Sequence, residues 1–519
     1  MTIFSPDRWR VPQWLFVFCM VFSLGLHANP AQSETQPQLT REQLNADLSN
    51  AYELLKKIQP NFTAHKSAKE LKALRDRLIA SSTDTNSLDD AYLKLTELIG
   101  AVCDEHTYIV KSKRDSRRVP GGWPLFTKPL VIHDGTLYAE LNSKDGKVEV
   151  LEINSIEGSF IASEIVRRMP FDGCYQNGTF FVFDSLPTAG HIFNAVVGNP
   201  KIYRMKYRNS QESAPKELEI ESLKSYVNTT ISKWFYRTRW QNINLGYSAH
   251  KFFHRLLDPS MGKANLDYYF SIPRNLAYLR VGDFKPISES REGIELVMRD
   301  IVTKNPDALV LDLTGSPGGY SGTVQFMLAF LLPRAHRLSS EVIFKNISRK
   351  PPSHFEFNDD QAMNARKENV RFFRKIRSRN GIRRAPMSMN SFGKPDYKGK
   401  IYVLVGPRSH SNAIKVASNL KRLRNATIVG NVTASNVKKT CAQAYGSVRL
   451  EHSGFLLYIP ELCYRSPENA VDGQSALKLD IPVDILNQPT TRVETKILQV
   501  ALDHYDQSRE IALDTASAE

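Results

Sequence analysis

The chain has few cysteines, no low-complexity tract and only one long apolar run. Outside Trp14–Leu26, no segment approaches the roughly 18 apolar residues that a membrane helix requires, which excludes a multi-span membrane protein. With 41% hydrophobic and 24% charged residues, wholesale disorder is excluded too. The five cysteines have no zinc-type spacing, so no metal site is expected, and no cofactor. No nucleic-acid motif accompanies the formal charge of +15, which argues against DNA or RNA as a partner. At 519 residues the chain is too long for one core, and two to four domains are expected.

Arg8 and Arg10, the apolar stretch Trp14–Leu26 and the small residue Ala28 read as a secretory signal peptide over 1–28, with a signal-anchor as the alternative. An exported protein, periplasmic or secreted, is the expectation. Cysteine usage fits an oxidising compartment: Cys19 leaves with the signal, and four remain. Residues 442–462 read as a hairpin turning at Glu451-His452-Ser453-Gly454. Reflection through His452 sets Cys441 opposite Cys463. A bridge there would add on the order of 3 kcal/mol. Elimination leaves Cys103 with Cys174.

The positive charge has a local source. Arg371, Arg374, Lys375, Arg377, Arg379, Arg383 and Arg384 occur with no acid among them. This run reads either as a solvated surface insertion or as a contact for an anionic surface.

Periodicity divides the rest. Leu44, Leu48, Ala51, Leu55 and Ile58 share a helical face, and so do Leu88, Ala91, Leu95, Leu98 and Val102 after a capping Ser87. These place a helical region at 29–116. Short alternating runs such as Val148–Ile153, with a helix near Phe160–Met169, mark a β-rich module at 117–215. From about 265 strands and helices alternate, implying βαβ units around a parallel or mixed sheet within a core at 216–488. An insertion at about 340–398 interrupts it. A last helix, Val493–Tyr505, precedes a polar tail in 489–519. The fold class is thus a multidomain mixture of α+β and α/β.

Two apolar strands in the core end in small-residue turns where helices begin. Ala308–Leu313 leads into Thr314-Gly315-Ser316-Pro317-Gly318-Gly319, and Ile401–Val405 leads into Gly406-Pro407-Arg408-Ser409-His410-Ser411-Asn412. The first turn offers backbone N–H groups beside glycines, and the second offers a serine at a helix N-terminus. These are complementary parts of an acyl-transfer site. The plainer alternative is that Ser409 and Ser411 cap the helix. Ser321 competes as nucleophile but reads better as a cap.

The run Pro306–Gly319 resembles the "LDLRxNPGG" segment of the tail-specific, C-terminal-processing serine peptidases of the S41 clan. Val403–Ala413 resembles that family's nucleophile segment, Asn425–Thr433 its following strand, and Asp104-Glu105-His106-Thr107 an element upstream. The resemblance implies a ClpP/crotonase-like αβ core and a PDZ-like role for the β-rich module. It also implies a polypeptide substrate and Ser411 as nucleophile, with the N–H groups of Gly318 or Gly319 and of Asn412 as oxyanion donors. Two branches supply the base differently. In one a lysine follows the serine, but Asn436 stands at that position here, and Lys438 fits only with a two-residue slip. In the other, which is tricorn-like, the base is a histidine oriented by a glutamate; His106 and Glu468 fit those positions. Asp472, Asp480 and Asp484 are rivals to Glu468, and His410 is a poor base because it adjoins the nucleophile. An imidazole with a pKa near 6.5 exchanges protons at neutral pH, whereas a lysine must first be desolvated. The Ser411–His106–Glu468 reading is therefore preferred. The alternatives are an inactive protein of this fold that binds an apolar ligand or peptide, and a surface-interaction protein acting through the basic run.

Overall fold

The computed structural model describes residues 38–111, 126, 128–141, 147–171, 174, 179–182, 187–198, 200–209, 214–222, 253–255, 260, 264–332, 339–345, 351–358, 360–386, 397–431, 436–442, 446–467, 476–488 and 492–518. The signal peptide expected at 1–28 lies outside them. Among the described residues no helix is long and apolar enough to cross a membrane. Ten helices and several sheets among the described residues give a mixed α+β architecture.

Three N-terminal helices, Arg41–Ile58, Ala68–Ala80 and Leu88–Gly100, begin where the sequence supplies caps. Thr40 with Gln43 and Ser67 with Glu70 form capping boxes, and the Ser87 side chain accepts from the Asp90 N–H. Their apolar faces share one core with the β-rich module. The module is an antiparallel sheet in the order Lys216–Glu221, Ile202–Arg208, Lys147–Ile153, Thr136–Glu140, Leu130–His133, Thr179–Phe181. Its helices are Gly158–Arg168 and Pro187–Val197.

The core sheet runs Phe253–Arg255, Leu266–Ser271, Leu276–Val281, Ala308–Asp312, Lys400–Val405, Thr427–Gly430, Ile481–Pro482. The first two pairings are antiparallel and the rest parallel. Helices Ile287–Lys304, Ser321–Leu328 and Asn412–Arg424 cover one face, packing Val297, Val324 and Val416 onto Leu309, Leu311 and Val403. The C-terminal helix covers the other face through Ile497, Ala501 and Tyr505. With both faces covered, Ala308–Asp312 is buried at every position, as its uninterrupted apolar run requires. The last helix spans Val493–Ala518 rather than ending at Tyr505. The expected polar tail holds Gln, Arg, Glu, Leu and Ala with no Gly or Pro, so helix propensity carries it on.

Two four-stranded sheets flank this core. One orders Arg383–Pro386, Glu341–Phe344, Leu462–Arg465 and Lys439–Ala442, so the basic run ends as an edge strand. The other joins Phe355–Phe357, Gly446–Arg449 and Leu456–Tyr458 to the distant Tyr108–Val110. Both expected cysteine pairs form, Cys103–Cys174 and Cys441–Cys463, the latter directly opposite across a strand pair.

Candidate active site

Strand Lys400–Val405 delivers its chain into a braced turn. The Ser409 hydroxyl accepts from the Gly406 N–H at 2.9 Å and donates to the Leu313 carbonyl at 2.7 Å, fastening the ends of two neighbouring strands. Ser409 is therefore a brace, not a cap. Ser411 follows with φ 51° and ψ −119°. This is a conformation glycine adopts freely, and it costs a residue with a side chain on the order of 1–3 kcal/mol. Its hydroxyl makes no capping hydrogen bond to helix Asn412–Arg424, so the capping alternative is not met. A serine on a strained strand-to-helix turn is the arrangement that exposes a nucleophile.

The glycine turn presses against this elbow. A Cβ on Gly318, at φ 94°, would lie 2.8 Å from the Asn412 nitrogen and 2.9 Å from the Ser411 Cβ. At Gly319, φ 133°, it would lie 2.2 Å from the Phe284 carbonyl oxygen. Only glycine fits either place. Phe284 holds the turn, donating its N–H to Gly318 O and accepting from the Tyr320 N–H, both at 2.8 Å. The Asn412 side chain donates to Gly319 O and, at 3.1 Å, to the Ser321 hydroxyl. Asp312 sets the start of the turn. Its carboxylate accepts from the Thr314 N–H and hydroxyl at 2.9 and 2.6 Å, and from the Tyr278 hydroxyl at 2.5 Å. The structure thus brings Gly318, Gly319, Ser411 and Asn412 together.

His106 sits in a tight turn after helix Leu88–Gly100. Cys103, bonded to Cys174, fixes the turn on one side. On the other, Tyr108–Val110 pairs antiparallel with Leu456–Tyr458, and the rings of Tyr108 and Tyr458 stack at 4.7 Å. Beneath it the buried Asp104 carboxylate accepts from Gln59 Nε2, from the Thr107 hydroxyl and from the His106 N–H. Burial pushes the Asp104 carboxyl up, against the pull of the His106 charge and of the Thr107 and His106 hydrogen bonds. The His106 side chain keeps 26% of its surface exposed, with Nδ1 4.0 Å from Asp104 Oδ1 and 3.8 Å from Glu105 Oε1. The other Glu105 oxygen lies 3.4 Å from His410 Nδ1. Glu105 therefore links the histidine turn to the residue preceding Ser411. Sequence reasoning missed this role, although the run Asp104-Glu105-His106 carried the signal.

Lys438 is exposed. The buried Asn436 organises its turn by accepting from the N–H groups of Lys438 and Lys439 at 2.7 and 3.3 Å. Glu468 and its rival Asp472 lie outside the described residues. The other rivals have structural work: Asp480 accepts from Lys421 and the Ile428 N–H, and Asp484 from the Leu486 N–H. Among the described residues no group of three His, Cys, Asp or Glu side chains could hold a metal ion.

Residues 275–469, which span both turns, match the model of Peptidase family S41. The chain carries an S41 peptidase domain. It is accordingly a hydrolase of the serine peptidase class, acting on polypeptides, and the match does not favour a binding protein for an apolar ligand. Among solved structures the chain resembles mature CPAF complexed with lactacystin, at 14% identity and TM-score 0.52, over 92% of this chain and 99% of that one. It also resembles mature CPAF at 13% identity and TM-score 0.51, over 89% and 96%. At such identities the likeness concerns the fold. The photosystem II D1 C-terminal processing protease aligns at 11% identity and TM-score 0.41, over 85% and 93%. Curated protein sequences yield no match.

Proposed function

We propose that this S41 peptidase domain belongs to an exported endopeptidase working through an acyl-enzyme on Ser411. His106 serves as general base and acid, and Glu468 orients it. Ser411 Oγ attacks the peptide carbonyl while His106 takes its proton. The tetrahedral oxyanion rests on the Asn412 N–H and that of Gly318 or Gly319. His106 then returns the proton to the leaving amine, and water repeats the sequence on the ester. The observation that carries this reading is the strained backbone of Ser411 with Gly318 packed against it. The Glu105–His410 contact supports the base assignment by tying the histidine turn to the elbow. Export is supported by two cysteine pairs of the kind that persist in oxidising compartments.

The test is hydrolysis of an unstructured polypeptide, with mass-spectrometric mapping of a fluorophosphonate adduct. Ser411→Ala is expected to abolish both cleavage and adduct. Cleavage that persists in a folded Ser411→Ala protein would sink the proposal.

A further inference from the structure

The small sheet ending in the basic run presents an unusual face. Cross-strand pairing puts Glu341, Arg465 and Lys439 in one row, Glu341 opposite Arg465 and Arg465 opposite Lys439. Arg384, on the edge strand, reaches the same row: its Nη1 lies 2.8 Å from Glu341 Oε1, and Arg465 Nε lies 3.1 Å from that same oxygen. Two arginines thus share one carboxylate, with Lys439 next in the row. Both arginines remain open to solvent, their side chains 47% and 43% exposed, while Glu341 is 19% exposed. Lys439 is drawn inward, its ammonium donating to Asn61 Oδ1. Burial, reinforced by Arg465 and Arg384, pushes it down to about 8 despite the opposing pull of Asp104 and Glu341. Glu341 offsets only part of this positive charge.

The face also adjoins the histidine turn. Cys463, two residues before Arg465 on the same face, places its sulfur 3.7 Å from Gln59 Oε1, and Gln59 donates to Asp104 beneath His106. The opposite face packs on helix Asp360–Arg374 through Val342, Phe344 and Leu462. On that side the Lys415 ammonium lies 4.7 Å over the Tyr464 ring, one helical turn beyond Ser411. The sheet therefore touches both the support of the histidine turn and the helix that follows Ser411.

We infer that the face formed by Arg384, Glu341, Arg465 and Lys439 is a carboxylate-binding subsite, taking an aspartate or glutamate side chain of the polypeptide substrate. A guanidinium already holding one carboxylate by one edge can take a second by another, in the bidentate geometry that lysine lacks. The inference rests on the peptidase reading above and adds its substrate class. It also gives Arg384, the end of the basic run, a role beyond solvation.

The experiment compares kcat/KM for matched peptides with Glu or Gln at each position around the scissile bond, each with a free and an amidated C-terminus. Wild type is expected to prefer Glu about two- to fivefold at one position at low salt, the magnitude of a partly exposed ion pair, with less preference at high salt. The preference should be indifferent to C-terminal amidation, and Arg465→Met should bring the ratio toward one. Arg299→Gln, a charge removed from a distant helix, should leave the ratio unchanged. A Glu/Gln ratio near one in wild type, a ratio retained in Arg465→Met, or dependence on a free C-terminus would each overturn the subsite. Fluorescence anisotropy of the same peptides on Ser411→Ala separates the two proposals. A Glu preference in binding without wild-type cleavage upholds the subsite and sinks the peptidase reading; cleavage without preference does the reverse.

Discussion

The two halves of the candidate site are built in different ways. One half, the proposed nucleophile Ser411 with Gly318 and Gly319, comes from the ends of two adjacent strands of one sheet. Backbone hydrogen bonds and the absence of side-chain volume hold it together. The other half, with the proposed base His106, is contributed from far upstream, outside the segment matching the peptidase family. It is held by a cysteine pair, a buried carboxylate and a strand added to a distant hairpin. The first half follows from local geometry, so any change there should act through backbone fit. The second is a tertiary assembly, so it should be severable without disturbing the first.

Gly318→Ala strikes where the turns meet and should cost more turnover than loosening the histidine turn does. The added methyl has no room beside Asn412 and Ser411, and φ 94° strains any residue with a side chain. Overpacking should cost about 1–3 kcal/mol of stability, and a displaced oxyanion donor about 10²–10³ in kcat. Thermal unfolding and peptide hydrolysis read the two terms separately, and wild-type kcat in Gly318→Ala would break the comparison. Replacing Cys103 and Cys174 together by Ala should do less to the chemistry: about 2–4 kcal/mol of stability and roughly tenfold in kcat/KM, since a misplaced base loses part of its 10²–10⁴ contribution. Its fluorophosphonate adduct should still form on Ser411, only more slowly. An adduct lost outright would mean that the elbow depends on the histidine turn.

The same division decides what could be read from the sequence. Apolar strands ending in glycine or serine turns, followed by i, i+3, i+4 helices, disclosed the core sheet and brought Gly318, Gly319, Ser411 and Asn412 to attention. Reflection through His452 matched the Cys441–Cys463 pair, although the hairpin itself pairs Val448 with Leu457, one residue out of that register, and the cysteines meet in the neighbouring sheet. The strain at Ser411 left no compositional trace, since serine is also a common cap. The role of Glu105 was hidden because it depends on which residues meet across the fold. Lys439 was passed over for the same reason: only strand pairing sets it beside Arg465. The β-rich module was legible as short alternating runs, but its strand order follows no local pattern.

The central claim is that a histidine assembled from outside the core activates Ser411. The most direct measurement is the second-order rate constant for fluorophosphonate inactivation of wild type, His106→Ala and Lys438→Ala, with the adduct mapped in each. The account predicts an adduct on Ser411, a fall of about 10²–10⁴ in His106→Ala, and a rate in Lys438→Ala within about threefold of wild type, a surface-charge effect. Labelling that survives His106→Ala and disappears in Lys438→Ala would contradict it.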